Sequence, residues 1–365
     1  MSEKKIKVGL IGYGLAGRVF HAPLLSAVSE FDLTTICSSR LAEIHETHAG
    51  IVIVQKPEAV LSNDDIDLIV IATPTATHVA LAEKALLAGK HVVVDKPVAL
   101  TLADAKRLVE LSVRQNLKLF AFHNRRWDSD FLAVRDAISN DLVGDVTHFE
   151  SHLNRFRPTV RDRWREDGSE GSGVWFDLGP HIVDQALLLF GRPDAVTADI
   201  APLRVGAKSD DWAHIMLHYA NRRAILHASL LSPDGESGGH PRFFVSGTKG
   251  CLTKRFADPQ EGQLQAGVRP DDVSFGVDED DLRLHQSSLP AMRVPVPSGC
   301  QQTFYELVAH SIRNGSEGPI GLDHLLDVCE IIEIAQHSAA ERRTIELSAN
   351  DSKRNILMFR KSSDG

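Results

Sequence analysis

The first third of the chain alternates short apolar runs with segments of helical periodicity. The predicted strands lie at 6–12, 31–37, 67–72, 90–94 and 118–123. The third and fourth of these runs are continuously apolar, which is typical of strands buried on both faces of a parallel sheet. Helices are predicted at 77–88 and 101–115, and Thr101 with Asp104 three residues later forms a capping pattern. This alternation predicts a doubly wound α/β domain over residues 1–123.

The pattern changes after residue 123. Stretches that favour β structure lie at 145–156, 194–203, 212–219 and 223–231, and helices are predicted at 127–139, 183–190, 301–313 and 322–341. We therefore expect a second, α+β domain over 124–347 with a large, mostly antiparallel open sheet. The segment 258–290 is rich in Asp, Gly and Pro and predicts a surface loop, with its acidic run 278–281 solvated. A polar tail is expected over 348–365.

Composition narrows the class of protein. The chain has 365 residues, which suits two domains, and 43% of them are hydrophobic. Its net charge of −9 gives no attraction to a phosphate backbone, so we expect no nucleic-acid partner. Neither a transmembrane run nor a signal peptide is evident, so no membrane partner is expected. The four cysteines have no C-x-x-C spacing, which favours reduced thiols and a cytoplasmic location.

A glycine-rich turn follows the first predicted strand. The spacing Gly12-x-Gly14-x-x-Gly17 precedes an apolar helical pattern, as a dinucleotide-binding loop requires. Gly12 would allow the tight turn, Gly14 the approach of a pyrophosphate, and Gly17 close packing of helix on strand. The pyrophosphate would then lie at the positive end of the helix. The alternative is a purely structural turn in another α/β fold.

The end of the second strand bears on which dinucleotide binds. An NAD site usually has a carboxylate there, whereas this chain has Ser38, Ser39 and Arg40. Hydroxyl groups and a guanidinium suit a 2′-phosphate, so NADP is the preferred cofactor and NAD the alternative. Arg40 could instead be an ordinary solvated residue at the start of a helix.

Two further stretches carry candidate chemistry. Lys96 follows a buried strand, at the sheet edge where ligands of open α/β folds bind, although many such lysines are only surface residues. Asp177, His181 and Asp184 share one helical face, so the imidazole is expected between two carboxylates that favour its charged form. Asp177 could also be a helix N-cap. No metal site is predicted from these residues.

Taken together, these motifs resemble one enzyme family. The stretches 9–17, 72–78, 95–97 and 177–184 occur in the order found in the Gfo/Idh/MocA oxidoreductases. Within that family the chain is most similar to the NADP-dependent scyllo-inositol dehydrogenases, through residues 123–131, 163–166 and 177–191. It departs from the family at Asp95, where Glu is usual, and at Thr73, where some relatives have Asn.

The resemblance implies a Rossmann domain, a second domain whose sheet commonly packs on another subunit, and hence a homo-oligomer, either dimer or tetramer. It implies a catalytic set of Lys96, Asp177 and His181: the imidazole as general base, the lysine stabilising the alkoxide, and Asp177 orienting substrate and imidazole. The implied cofactor contacts are Gly12, Gly14, Leu15, Ala16, Gly17, Ser38, Ser39, Arg40, Thr73, Pro74, His78 and Lys96.

Substrate contacts are expected from Arg125, Trp127 and Asp184, the last either binding a hydroxyl or supporting His181. The arginines at 157, 161 and 163 and Trp164 are less specific candidates for the mouth of the site. The expected reaction interconverts a polyol or cyclic sugar alcohol, first of all scyllo-inositol, and its ketone. Two alternatives are a non-enzymatic NAD(P)-binding regulator and an enzyme that recycles a bound cofactor while acting on another sugar.

Overall fold

The computed structural model describes residues 4–233, 239–287 and 289–347, so the predicted polar tail lies outside the described residues. The first sheet has six parallel strands in the order β3-β2-β1-β4-β5-β6. They are β1 (Ile6–Ile11), β2 (Phe31–Cys37), β3 (Val52–Val54), β4 (Leu68–Ile71), β5 (His91–Val94) and β6 (Leu119–Ala121). This strand order is that of the Rossmann fold, and the expected parallel sheet is confirmed.

Helices flank this sheet. A π-helical segment, Ala16–His21, runs into α1 (Ala22–Ala27) and is followed by α2 (Leu41–Thr47), α3 (Pro57–Leu61), α4 (His78–Leu87) and α5 (Leu102–Arg114). The predicted cap of α5 is present, since the Asp104 amide donates to Thr101 Oγ1 at 3.1 Å. The short elements α2, β3 and α3 are absent from the prediction, because each is too short to show a period.

The second sheet has nine strands in the order β14-β13-β12-β11-β7-β10-β9-β8-β15. Its strands are β7 (Val146–Asn154), β8 (Ala195–Ala201), β9 (Trp212–His218), β10 (Arg223–Ser229), β11 (Phe243–Gly247), β12 (Cys251–Lys254), β13 (Leu282–His285), β14 (Met292–Val294) and β15 (Ile345–Glu346). Only the β7–β10 pair among these described strands is parallel. The expected mostly antiparallel sheet is therefore confirmed.

The described helices of this half are α6 (Ser129–Ser139), α7 (Val174–Phe190), α8 (Gln260–Gln265), α9 (Thr303–Asn314) and α10 (Leu322–Glu341). Of these, α6, α7 and α10 pack in the core of the large sheet. Alternate residues of β9 (Ala213, Ile215 and Leu217) are buried in one core with α7 and α10. Trp175 of α7 is fully buried there and donates its indole N–H to the Ile332 carbonyl at 3.1 Å. The sheet thus fixes α7, the helix that carries three of the predicted site residues.

Two C-terminal helices return to the first sheet. Phe304 and Tyr305 of α9 belong to the core of the parallel sheet, and the Phe304 ring packs edge-on against Phe122 at 4.9 Å between centroids. The first half of α10 adds Leu325 and Leu326 to the same core. The two halves of the molecule therefore share apolar contacts, and these hold the carboxyl edge of the parallel sheet against α7.

The segment 258–290 differs from the predicted surface loop. It contains α8 and β13, and its acidic run is not simply solvated. Asp278 and Asp280 lie 3.1 and 2.8 Å from Nζ of the fully buried Lys254, so they neutralise a cation that the core could not otherwise hold. All four cysteines are free thiols. In the part of the chain that the structure describes, no helix has the length and apolar character to cross a membrane.

Candidate functional site

The glycine loop has the geometry of a dinucleotide cradle. Gly12 has φ +101°, and a Cβ there would lie 2.4 Å from the Ala72 carbonyl oxygen. A Cβ on Gly17 would lie 2.1 Å from the Gly12 oxygen, so this glycine permits the turn to fold on itself. A Cβ on Gly14 would meet no atom within 4 Å, so its backbone borders open space. The open position is the one that an approaching pyrophosphate requires, so the loop fits the cofactor.

The residues predicted to bind the adenosine ribose, Ser38, Ser39 and Arg40, lie at the end of β2. This end lies beside the glycine loop, since the Gly12 amide donates to the Cys37 carbonyl at 3.0 Å. Ser39 and Arg40 are exposed and Ser38 is half-buried. The Arg40 guanidinium lies 3.2 Å from Glu43, which also pairs with Arg18 at 3.0 Å. Two guanidinium groups, those of Arg18 and Arg40, thus share one carboxylate beside the end of β2.

The chain after β4 carries three predicted cofactor contacts, Thr73, Pro74 and His78. Thr73 lines a small cavity together with Lys96 and Asp177, and Pro74 follows it at the start of the next turn. His78 is buried instead, and its ring nitrogens lie 2.8 Å from the Pro97 carbonyl and 2.9 Å from the Thr73 carbonyl. Both nitrogens are therefore engaged by backbone. His78 thus joins two loops of the site and lines the same small cavity as Thr73, and its predicted cofactor contact stays a prediction.

One cavity brings the three predicted catalytic residues together with part of the glycine loop. Leu15 and Ala16 of the glycine loop line it, as do Lys96, Asp177 and His181. Lys96 comes from the carboxyl end of β5 and the other two from the first half of α7. The sheet edge and the helix therefore meet at one crevice, as ligand sites of open α/β folds do.

Asp177 pairs with two cations in this cavity. Lys96 Nζ lies 2.5 Å from the Asp177 carbonyl oxygen and 3.3 Å from Oδ1, and Arg165 Nε lies 3.2 Å from the same Oδ1. Burial alone would raise the pKa of Asp177, but the charges of Lys96, Arg165 and Arg155 outweigh it and hold the pKa well below its usual range. The carboxylate is therefore ionised and fixes the lysine.

His181 differs from the expectation that two carboxylates favour its charged form. Burial, and after it the charges of Lys96 and Arg125, hold the pKa of His181 well below its ordinary value. Its Nδ1 is buried without a hydrogen-bond partner among the described residues. The reason is that the neighbouring carboxylates are already paired with other cations. The imidazole is thus neutral near pH 7 and is held by packing.

Asp184 and Trp127 do not line the cavity, which corrects their predicted substrate contacts. Asp184 is 1% exposed, and its carboxylate binds Arg126 through two bonds of 2.7 and 2.9 Å and His324 at 2.8 Å. Trp127 packs its ring against Phe304, with centroids 6.1 Å apart. Asp184 therefore joins elements within the second half, and Trp127 packs against the core of the parallel sheet. Asp177 likewise is not the N-cap of α7, because the helix begins earlier, at Val174, where Asp210 caps it through the Trp175 amide at 2.7 Å.

Arg125 does line the cavity, in a cluster that sequence reasoning missed in part. Its Nη2 lies 2.5 Å from Glu261 Oε2, and its Nη1 lies 2.9 Å from the buried Asp128. Arg155 lies 3.4 Å from the same Glu261. The charges of both arginines lower the pKa of Glu261 against the effect of burial. Glu261 lies on α8, in a stretch whose composition predicted only a loop.

Further lining residues come from the chain after β7. Arg157 and Arg163 line the cavity, whereas Arg161 and Trp164 are not among the residues around it. Arg165 lines it as well and stacks on Trp164 at 4.4 Å. The repeated Arg-x-Arg spacing at 155–157 and 163–165 is the sequence signal that could have identified the whole set. Within the described ranges, no three His, Cys, Asp or Glu side chains are arranged to hold a metal ion.

Known proteins match this arrangement. Residues 6–123 match the family model described as an oxidoreductase family NAD-binding Rossmann fold, and residues 135–347 match the C-terminal alpha/beta domain of the same family. The uncharacterized oxidoreductase YdgJ of Escherichia coli K12 is 42% identical, over 94% of this chain and 99% of its own. The NADP(+) scyllo-inositol 2-dehydrogenase IolW of Bacillus subtilis 168 is 35% identical, over 94% and 96%.

The crystal structure of an oxidoreductase from Klebsiella pneumoniae superposes on this chain with a TM-score of 0.89 at 42% sequence identity. The match covers 98% of this chain and 99% of that one. The family models cover nearly all of the residues that build the two sheets and the cavity between them. The resemblance seen in the motifs is thereby confirmed: this chain is an NAD(P)-binding oxidoreductase of the Gfo/Idh/MocA family.

Proposed function

We propose that this protein is an NADP-preferring dehydrogenase that interconverts a polyol or cyclic sugar alcohol and its ketone, with scyllo-inositol as the first candidate substrate. The observation that carries the proposal is the single cavity shared by the glycine loop, Lys96, Asp177 and His181. The substrate assignment is supported by the Bacillus subtilis relative, whose name states both scyllo-inositol and NADP.

The cofactor would be held at the glycine loop and at the end of β2. Backbone amides around Gly14 would face its pyrophosphate, and Ser38, Ser39 and Arg40 would bind the 2′-phosphate that distinguishes NADP from NAD. Thr73 and Pro74 would lie on the nicotinamide side. When bound, the nicotinamide supplies the acceptor of the substrate hydride.

His181 would be the general base. Oxidation of a secondary alcohol requires removal of the hydroxyl proton, and a neutral imidazole beside the substrate can accept it. The charges that lower the pKa of His181 also oppose the build-up of a second positive charge there. The negative charge that develops on the substrate oxygen offsets this opposition during the reaction.

Lys96 would stabilise the alkoxide by donating to the same oxygen. Asp177 would act mainly on the lysine, because it accepts from Lys96 and Arg165 and has no hydrogen bond to His181 in the described structure. This refines the role expected from the family resemblance, in which Asp177 orients the imidazole. Asp177 is thus proposed as a positioning residue for the ammonium.

We also propose a cytoplasmic homo-oligomer that associates through the outer face of the large sheet. The support is the alternation along β9, where Trp212, His214 and Met216 lie opposite the buried residues and remain half-exposed. A half-buried face that carries an aromatic and a methionine side chain is typical of surfaces that pair with another subunit. The division at residues 123 and 124 is retained as the proposed domain boundary.

The test is a comparison of initial rates of NADP and NAD reduction with scyllo-inositol, myo-inositol and several aldoses. We expect turnover of scyllo-inositol with a higher kcat/KM for NADP than for NAD. Equal rates with both cofactors would reject the assignment of Ser38, Ser39 and Arg40 to a 2′-phosphate, but not the dehydrogenase reaction. Tight binding of NADPH without turnover of any compound would reject the dehydrogenase and favour a regulatory role.

A further inference from the structure

We propose that the preferred substrate of this site carries an anionic oxygen group, a carboxylate or a phosphate monoester, bound by the arginines that the C-terminal half contributes to the cavity. This inference rests on the proposed function: it keeps the reaction and the cofactor, and replaces neutral scyllo-inositol by an acidic sugar or polyol derivative as the preferred substrate. A neutral polyol would then be a poorer substrate than an acidic relative of the same size.

The first observation is the charge of the cavity wall. The cationic side chains that line the cavity are Lys96, Arg125, Arg155, Arg157, Arg163 and Arg165. The carboxylates that line it, among the described residues, are Asp95, Asp177 and Glu261. Cations thus outnumber anions two to one around the space that substrate would enter, whereas the whole chain carries a net charge of −9. The positive charge is therefore concentrated at the site against the overall balance.

The second observation is that three carboxylates at or beside the cavity each pair with two cations. Glu261 accepts from Arg125 at 2.5 Å and lies 3.4 Å from Arg155, and Asp177 lies 3.3 Å from Lys96 and 3.2 Å from Arg165. Glu166 likewise pairs with Arg163 at 2.5 Å and with Arg204 at 2.8 Å. Arg125 has a second carboxylate in Asp128 and Arg204 has one in Asp211, both at 2.9 Å. Lys96 and Arg165 share Asp177 alone among the ion pairs of the described residues, so positive charge is left over at that end of the cavity.

Arg155 is paired more loosely with Glu261 than Arg125 is. Both of its distances to Glu261 oxygens are 3.4 Å, while the Arg125 guanidinium reaches the same carboxylate at 2.5 Å. Its side chain is 20% exposed at the cavity, so donors remain accessible. A guanidinium binds carboxylate or phosphate oxygens with two parallel hydrogen bonds, which a hydroxyl group cannot match. Arg155 is therefore well suited to bind an incoming anion.

The positive field also bears on the catalytic step. The charges of Lys96, Arg125 and Arg155 add to burial in lowering the pKa of His181. An anion bound among these arginines would cancel part of that field and raise the basicity of the imidazole. An anionic substrate would thus bring its own activation of the base, whereas a neutral one would meet His181 in its least basic state.

These arginines lie apart from the residues that would hold the cofactor phosphates. Those phosphates would lie at the glycine loop and the end of β2, both in the first half of the chain. Arg155 follows β7, and Arg163 and Arg165 lie on the next loop. The two sets approach the cavity from opposite halves of the molecule, so the second set faces the space left for substrate.

The experiment measures initial rates of NADPH formation with matched pairs of compounds. D-glucuronate is compared with its neutral isostere D-glucuronamide, and D-glucose 6-phosphate with D-glucose, alongside scyllo-inositol. We expect kcat/KM to be about tenfold or more higher for the acidic member of at least one pair, as one charge-assisted bidentate bond allows. The pair that shows the difference identifies carboxylate or phosphate. Higher rates with the neutral members would overturn the inference and leave the proposed function intact.

Variants at Arg155 test whether this residue causes the preference for acidic substrates. Arg155→Met should reduce the acid-to-neutral ratio of kcat/KM to near one, and Arg155→Lys should retain part of it. The control is Arg135→Met, which changes an exposed arginine of α6 that pairs with Asp136 and should leave the ratio as it was. A rise in the KM for NADP with no change in the ratio would assign Arg155 to the cofactor and overturn the inference. If no compound is turned over, calorimetric titration of the anions into the NADPH-loaded protein decides, and absence of binding overturns it.

Discussion

The two walls of the cavity are built in different ways. The wall from the parallel sheet consists of backbone and small side chains at strand ends: Gly12, Gly14 and Gly17 shape it, and Lys96 is its one long catalytic side chain. The wall from the second half consists of long charged side chains on α7, α8 and the chain after β7. Backbone can hold the constant part of a cofactor, whereas charged side chains select the chemistry of a substrate.

The difference lies also in how the residues are brought together. The glycine-loop part of the first wall is local in sequence, since a strand, its turn and the next helix form it. The second wall depends on pairs such as Arg125 and Glu261, which are 136 residues apart. We therefore expect changes in the first wall to act on cofactor binding and backbone geometry, and changes in the second to act on substrate and rate.

The largest expected effect is at His181. His181→Asn should lower kcat about 100- to 10,000-fold, because it removes the general base, while binding of NADPH is retained. Since the pKa of His181 is lowered, the imidazole remains an unprotonated base at mildly acidic pH. The wild-type rate of alcohol oxidation should then be lost only as pH falls through that depressed pKa. Steady-state rates across pH, with NADPH fluorescence as the binding measurement, check both points.

The control for this variant is Lys249→Met, which changes an exposed lysine that pairs with Asp141 and should leave kcat and its pH profile as they are. A loss of rate in wild type at the ordinary imidazole pKa near 6.5 would contradict the assignment of His181 as a neutral, buried base.

A large effect on stability, with little on rate, is expected at Asp184. Asp184→Ala leaves Arg126 and His324 without their buried carboxylate, and loss of one partner of a buried pair costs about 3–5 kcal/mol. Thermal and urea unfolding measure the loss, and the kcat of the folded variant should stay close to that of wild type. Asp136→Ala removes an exposed pair with Arg135 and should cost less than about 1 kcal/mol. A variant of ordinary stability with a raised substrate KM would restore the original prediction of a substrate contact.

Effects of intermediate size are expected at two glycines of the first wall, on stability at Gly17 and on cofactor binding at Gly14. Gly17→Ala places a Cβ 2.1 Å from the Gly12 oxygen, so the turn must shift at a cost of about 1–3 kcal/mol. Gly14→Ala meets nothing within 4 Å and should leave the free energy of unfolding unchanged, while it weakens NADPH binding by occupying the space for the pyrophosphate. Unfolding and NADPH titration on both variants check the split. Equal stability losses in the two would show that Gly14 is also structural.

The same contrast explains which parts of the fold could be predicted. The apolar runs of the parallel sheet and the helix over Leu322–Glu341 are long or continuous enough to be visible in sequence. The apolar pattern predicts helix α7 over 183–190 and the spacing of its charged residues extends it back to Asp177 at most, because Gly179 and Pro180 interrupt the pattern. Its true start depends on Asp210, a residue from a distant loop that caps it. Tertiary contact therefore extends the helix beyond what local propensity indicates.

Within the site, the residues of the first wall could be predicted because their role depends on local backbone shape. Sequence reasoning misassigned Asp184, since a shared helical face does not reveal that Arg126 and His324 occupy it. Glu261 was missed because an acidic, glycine-rich segment has the composition of a loop. Its side chain has a role only through the two arginines that fold against it.

The smallest expected effect concerns the choice of cofactor. Arg40 is exposed, with 57% of its side chain accessible, and Glu43 pairs with it at 3.2 Å, so a 2′-phosphate must compete with that carboxylate for the guanidinium. Arg40→Ala should therefore raise the KM for NADP about tenfold, a change of about 1.4 kcal/mol, and leave the KM for NAD unchanged. Glu43→Gln should lower the KM for NADP slightly, because it removes the competing charge while Ser38 and Ser39 are retained. Raised KM values for both cofactors in Arg40→Ala would mean that the arginine stacks on the adenine, which NAD and NADP share, and does not recognise the phosphate.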